Sequence, residues 1–241
     1  MKASGWKTLG WALFLAAIMP GAATAAPPTQ QAIIKACDEA GNVAQCERLL
    51  EAEQIKRFPA IATRESNVLR LKSHTGMAPL LLRDTGDPGN ETGAAYRSHA
   101  FWDYWPQKGN AVVSVTTQND DYYLVVDLDR GTQTKVAAEP LLGPDRQRFL
   151  VADLCEKKCA DLIQIWRFDR DSLVRERTFR PSEKWYEAEV SWRDATTLAI
   201  EYSVAAPRRR LAEPGELILE RAKPRLLKLS DAEWMVDEAR R

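Results

Sequence analysis

Apolar and polar residues follow two different periods along this chain, and the change falls near Pro59. Over 29–54 the apolar positions Ile33, Ile34, Cys37, Ala44, Leu49 and Leu50 are spaced as on a helix face. They lie among Lys35, Asp38, Glu39, Glu47, Arg48, Glu51 and Glu53. Gly41-Asn42 interrupts this pattern and Pro59 ends it, which predicts a hairpin of two short helices within 26–58. From residue 67 the period is two. Strands are predicted at 68–72, 80–83, 95–105, 111–117, 122–128, 132–136, 148–154, 161–168, 172–179, 188–192, 197–204, 215–220 and 225–229. Turn-forming runs divide them, among them Asp84-Thr85-Gly86-Asp87-Pro88-Gly89-Asn90 and Asp129-Arg130-Gly131. Short strands separated in this way predict a mainly β domain over 59–241, built as an antiparallel meander and not from βαβ units. One further short helix is expected within 230–240.

The first 25 residues follow another grammar. Lys2 and Lys7 precede an apolar run over 9–19, which is followed by Pro20-Gly21 and the small residues Ala22, Ala23, Thr24 and Ala25. Positive, then apolar, then small is the order of a cleavable secretion signal, with the cut expected after Ala25. The run is shorter than the ~20 residues that a spanning helix needs, so no membrane span is expected after cleavage. No Cys follows the cut, so a lipid anchor is not expected. The compartment this implies is periplasmic or secreted.

Charge narrows the partners. The chain has 34 basic and 34 acidic residues, and a polyanion binder should show a basic surplus or stripe. The cluster Arg208-Arg209-Arg210 follows Pro207 between strand-like segments and reads as a solvated loop tip, so nucleic acid is not an expected partner. Cysteine usage agrees with export: Cys37 and Cys46 form one local pair and Cys155 and Cys159 another, which in an oxidising compartment predicts two disulfides. Zinc would need about four N or S ligands, and His74 and His99 are not spaced to complete such a set. No metal or other cofactor is expected.

The meander contains a repeat. Tyr123-Leu124-Val125-Val126-Asp127-Leu128-Asp129-Arg130-Gly131 is followed by Leu142-Gly143-Pro144-Asp145-Arg146-Gln147-Arg148-Phe149-Leu150-Val151. Looser copies run over 163–169 with 190–200, and over 104–113, so the turn markers recur at roughly 36 and 49 residues, either side of the ~40–45 of a propeller blade. This pattern resembles one blade of a TolB-type or tryptophan-aspartate-type β-propeller, over about half of the mature chain. Gly143 stands where that family usually has Ser, and Gln147 where it often has Lys. The resemblance implies propeller-blade-like sheets. The chain has length for about three or four blades where complete rings have about 4–8, so a stack of such sheets is the expected form.

Candidate chemistry is sparse. Ser98-His99 with Asp84, Asp87 or Asp103 invites a hydrolase reading, but no G-x-S-x-G elbow is present and adjacent strand residues point to opposite faces. Asp120-Asp121, Asp127/Asp129 and Asp169/Asp171 sit at turns, where Asp bonds the backbone two residues on. The run Phe101-Trp102-Asp103-Tyr104-Trp105 is unusual: strand alternation puts Phe101 and Trp105 on one face with Asp103, and Trp102 and Tyr104 on the other. Either both faces are core, or Trp102 and Tyr104, with Trp185 and Tyr186, form an aromatic platform for a ligand. The expected function is a non-enzymatic binding module whose partner is a protein or cell-envelope component, engaged through loops at one end of the sheets. The alternatives are a hydrolase acting on peptide or glycan, and a structural envelope protein.

Overall fold

The computed structural model describes residues 29–39, 43–86, 95–155, 159–170, 172–206, 218–231 and 233–238. The secretion signal expected over 1–25, Asp87, Asp171 and the Arg208-Arg209-Arg210 cluster lie outside the described residues.

Two helices open the fold, α1 (Gln30–Glu39) and α2 (Val43–Arg57), on either side of the expected break. Thr29 starts α1, its hydroxyl accepting from the backbone N–H of Ala32 at 3.2 Å. The disulfide Cys37–Cys46 ties the two helices with Cα atoms 4.6 Å apart, and Cys155–Cys159 closes the second local pair. The inward stripe of α2 is Cys46, Leu50, Glu51 and Gln54, so this helix docks through polar groups as much as through apolar ones. Among the described residues no helix is long and apolar enough to cross a membrane.

Everything after the helices is antiparallel sheet. The first sheet has three strands, β1 (Ala62–Glu65), β2 (Val68–Leu71) and β3 (Leu80–Arg83). The second is the meander β4 (Arg97–Trp105), β5 (Asn110–Thr117), β6 (Asp121–Asp127) and β7 (Gln133–Val136). The third repeats that plan with β8 (Pro140–Leu142), β9 (Arg148–Asp153), β10 (Leu162–Asp169) and β11 (Ser172–Phe179). The fourth holds β12 (Tyr186–Asp194), β13 (Thr197–Ala205), β15 (Arg225–Ser230) and β16 (Glu233–Glu238) in that order, with β14 (Leu219–Arg221) paired to β13. The segment expected as a helix near 230–240 is therefore strand. Asp231 adopts a φ of 51° in the turn that folds β16 back on β15, and the pairing buries Trp234 against the core while Met235 and Val236 stay exposed.

Three apolar layers show that the sheets stack face to face. One lies between the first and second sheets, with Leu69, Leu71, Phe101, Tyr104, Val113 and Val126. The next joins the helices and the other face of the second sheet to the third, through Cys46, Leu50, Trp105, Val112, Phe149 and Val151. The last joins the third to the fourth, through Leu150, Ile163, Ile165, Leu198, Ile200 and Trp234. No core cluster of described residues joins the first sheet to the fourth. The turns at 106–109, 143–147 and 195–196 each lie between the first two strands of the second, third and fourth sheets. Gly143 has a packing reason, since a Cβ there would stand 3.1 Å from the carbonyl oxygen of Arg148 and 3.3 Å from the Trp192 ring.

Candidate functional site

A cleft of about 320 Å³ opens between the second and third sheets where four chain reversals meet. The β4–β5 turn supplies Lys108, the β6–β7 turn Asp127, Arg130 and Thr132, the β8–β9 turn Gln147, and the β10–β11 turn Asp169, Arg170 and Ser172. Antiparallel meanders dictate this convergence, because alternate reversals fall at the same end of a sheet and the two sheets stack in parallel planes. Apolar residues Val125, Phe168 and Leu173 lie beneath this polar rim with Asn110 and Thr134.

The rim groups differ in how far the protein already uses them. Asp127 Oδ1 accepts from the backbone N–H groups of Asp129 at 2.9 Å and Arg130 at 3.0 Å, and Oδ2 accepts from the Arg130 guanidinium at 3.0 Å. It shapes its own turn, as expected for Asp there. Asp169 Oδ1 accepts from the N–H of Arg170 at 3.1 Å. Lys108 Nζ donates to Gln147 Oε1 at 2.9 Å, linking the two sheets across the cleft, and lies 5.1 Å from the centre of the Phe168 ring. Trp105 and Phe149 also pack against that ring, at 5.8 and 5.6 Å between centres.

Compared with known proteins, the chain matches no family model, no curated protein and no solved structure. The reading of the site therefore rests on its geometry.

The aromatic candidates are placed elsewhere. Trp102, Tyr104 and Trp185 are 7, 3 and 2% exposed, and only Tyr186 is part-exposed. Both faces of β4 are core. The face assignment expected from simple alternation is corrected, because a bulge between Phe101 and Asp103 leaves Trp102 without a cross-strand partner. Phe101 and Tyr104 consequently share the layer against the first sheet, and Trp102 and Trp105 share the opposite one. Trp102 Nε1 donates to Glu139 at 2.9 Å, and Trp185 stacks on Tyr202 at 4.2 Å. Among the described residues, then, the aromatic run forms no platform.

Ser98 and His99 belong to a charged seam along the free edge of β4. The His99 carbonyl accepts from Arg48 at 2.7 Å and from Arg64, and the His99 N–H donates to Asp84 Oδ1 at 2.8 Å. The Phe101 N–H donates to Glu51 Oε1 at 3.0 Å, and Arg48 reaches Ser98 Oγ at 2.8 Å. Glu51, 2% exposed, also receives a two-pronged contact from Arg64 at 2.9 and 2.7 Å. These side chains occupy backbone positions that another strand would otherwise bond. Burial raises the Asp84 carboxyl, but the His99 hydrogen bond and the charges of Arg48 and Arg64 outweigh it and hold the pKa below its usual range. Ser98 Oγ is thus engaged by Arg48, and the seam is a structural junction. His74 Nε2 meets the Tyr104 hydroxyl.

A second set of acids is buried on the opposite face of the second sheet. Burial pushes Asp103 up to about 6 and also raises Glu47 and Glu139. Asp103 Oδ2 accepts from Trp105 at 3.1 Å, and its Oδ1 has no hydrogen-bond partner among the described residues. No group of three or more His, Cys, Asp or Glu among the described residues is arranged to hold a metal ion.

Proposed function

We propose that this chain is a non-enzymatic recognition module that works outside the cytoplasm, periplasmic or secreted, and holds a protein or cell-envelope component in the cleft between its second and third sheets. The observation that carries this reading is the convergence of four turns on one polar opening above an apolar floor, the arrangement through which rigid β scaffolds present binding residues. Two disulfides and the signal-like first 25 residues support the compartment. The equivalent position of the repeated turns supports the resemblance to propeller blades, here as an open row of sheets. The hydrolase alternative draws less support: of the two described cleft carboxylates, Asp127 is committed to its turn and Asp169 accepts from the Arg170 N–H, while Asp84, beside Ser98 and His99, is committed to the seam.

Filling the cleft tests the reading. Thr134 lies beside Val125 in the cleft wall, and Thr134→Trp would occupy the opening. Wild-type protein immobilised against an envelope extract should retain a partner that a folded Thr134→Trp protein, verified by circular dichroism, loses. Equal retention by both proteins rejects this cleft as the recognition surface.

A further inference from the structure

Resting on that recognition reading, we infer that the cleft binds a short acidic peptide segment, with Asn110 pairing its main-chain amide and Lys108 and Arg170 receiving its carboxylate. Asn110 carries the argument. It is 4% exposed, lines the cleft, and makes no side-chain hydrogen bond to a described residue. Its amide is also absent from the fully enclosed polar atoms that lack partners, so it opens onto the cleft. An amide open to the cleft bonds water there, and a ligand that brings its own donor and acceptor replaces that water without leaving the amide unpaired. A side-chain amide offers one acceptor and two donors, which matches the C=O and N–H of a peptide unit.

The rim supplies the charge. Among the described residues that line the cleft, three cations from three turns, Lys108, Arg130 and Arg170, face two carboxylates, Asp127 and Asp169. Arg130 is paired with Asp127, whereas neither Lys108 nor Arg170 forms an ion pair with a described carboxylate. Lys108 spends one donor on Gln147 and has others to give. The hydroxyls of Thr132, Thr134 and Ser172 add further donors around the same opening. Lys108 lies over the Phe168 ring, and Trp105 and Phe149 pack against it, which disfavours a sugar ring held on that aromatic face. The volume, about 320 Å³, is at the small end of ligand pockets (~300–1,000 Å³), so a side chain and its adjoining peptide units fit better than a large ligand.

The test is calorimetric titration of the processed full chain with a blocked tetrapeptide of sequence Ala-Asp-Glu-Ala, with its Asn/Gln counterpart, and with inorganic phosphate. The acidic peptide should bind, and its affinity should fall roughly tenfold in Lys108→Gln and in Arg170→Gln, and also on raising the salt. Asn110→Leu should weaken it as well, and because that residue is buried, the two surface variants keep the test decisive if it misfolds. Equal binding of the amide counterpart overturns the acidic specificity, and binding of phosphate without the peptide overturns the peptide assignment. Absence of binding by any probe also overturns it. If the envelope partner is nevertheless retained by wild type and lost by Thr134→Trp, recognition through the cleft stands and only the ligand class falls.

Discussion

Asp103 ties the stability of this protein to pH. One of its oxygens meets the Trp105 indole and the other has no hydrogen-bond partner among the described residues; burial outweighs these contacts and favours the protonated form, with a pKa raised from 3.8 to about 6. A native pKa above the unfolded value means that the folded state binds the proton more tightly. The resulting stabilisation is complete below 3.8 and is lost as pH rises through about 6. Glu47 and Glu139 act in the same direction. Asp84 and Glu176 act oppositely: their pKa values are lowered despite burial, because His99, Arg48 and Arg64 engage the first, and Arg148, Trp234 and Arg167 the second. Their contribution is present at neutral pH and lost as pH falls through those lowered values. Urea midpoints should therefore peak in mild acid and decline on both sides. Asp103→Asn should gain about 1–2 kcal/mol near pH 8 and almost nothing near pH 4; equal effects at both would contradict a raised pKa. None of this was legible in the sequence. Alternation alone put Asp103, Phe101 and Trp105 on one face, and the bulge at Trp102, which no local residue pattern announces, moved Phe101 to the other.

Among the elements, α2 is held in an unusual way. Its buried side offers Glu51 and Gln54 beside Leu50 and Cys46, and Glu51 alone engages Arg48, Arg64 and the Phe101 N–H. Removing one member of a buried ion cluster leaves the others uncompensated. Glu51→Ala should cost about 3–5 kcal/mol in urea unfolding, more than Leu50→Ala if the seam rather than apolar contact fixes the helix. Most elements could be read from period and punctuation: two helices on either side of the expected break, and strands from β2 to β15, β8 excepted, to within a few residues. The misses have local causes. β1 holds one apolar residue, Ala62, and β8 is three residues opening on Pro140, so neither shows an alternation of apolar and polar positions. The charges at Glu233, Asp237 and Glu238 suggest a helical surface, yet the turn at Asp231 and the burial of Trp234 impose pairing with β15.

At the scale of the whole molecule, both ends of the stack carry charge. Thr63, Glu65 and Arg70 lie on the outward side of the first sheet with exposed Leu81, and Glu189, Glu201 and Lys228 on that of the fourth with exposed Met235. Charged terminal layers broken by single apolar residues discourage one copy from stacking on the next, so light scattering at micromolar concentration should give a monomer, and a concentration-dependent series of oligomers would contradict this. The layered plan could be read from the sequence because each turn marker recurs at the same point of successive sheets. The cleft could not, because its residues come from four turns spread over 108–173 and meet only when two sheets stack. The seam along β4 has a bearing on how the chain reaches this state. An uncovered strand edge is where a nascent polypeptide sticks to its neighbours, and here the groups that cover it, Arg48, Glu51, Arg64 and Asp84, all precede His99 and Phe101 in the chain. During vectorial emergence, whether from a ribosome or through a translocation pore, the cover is ready before the edge that needs it.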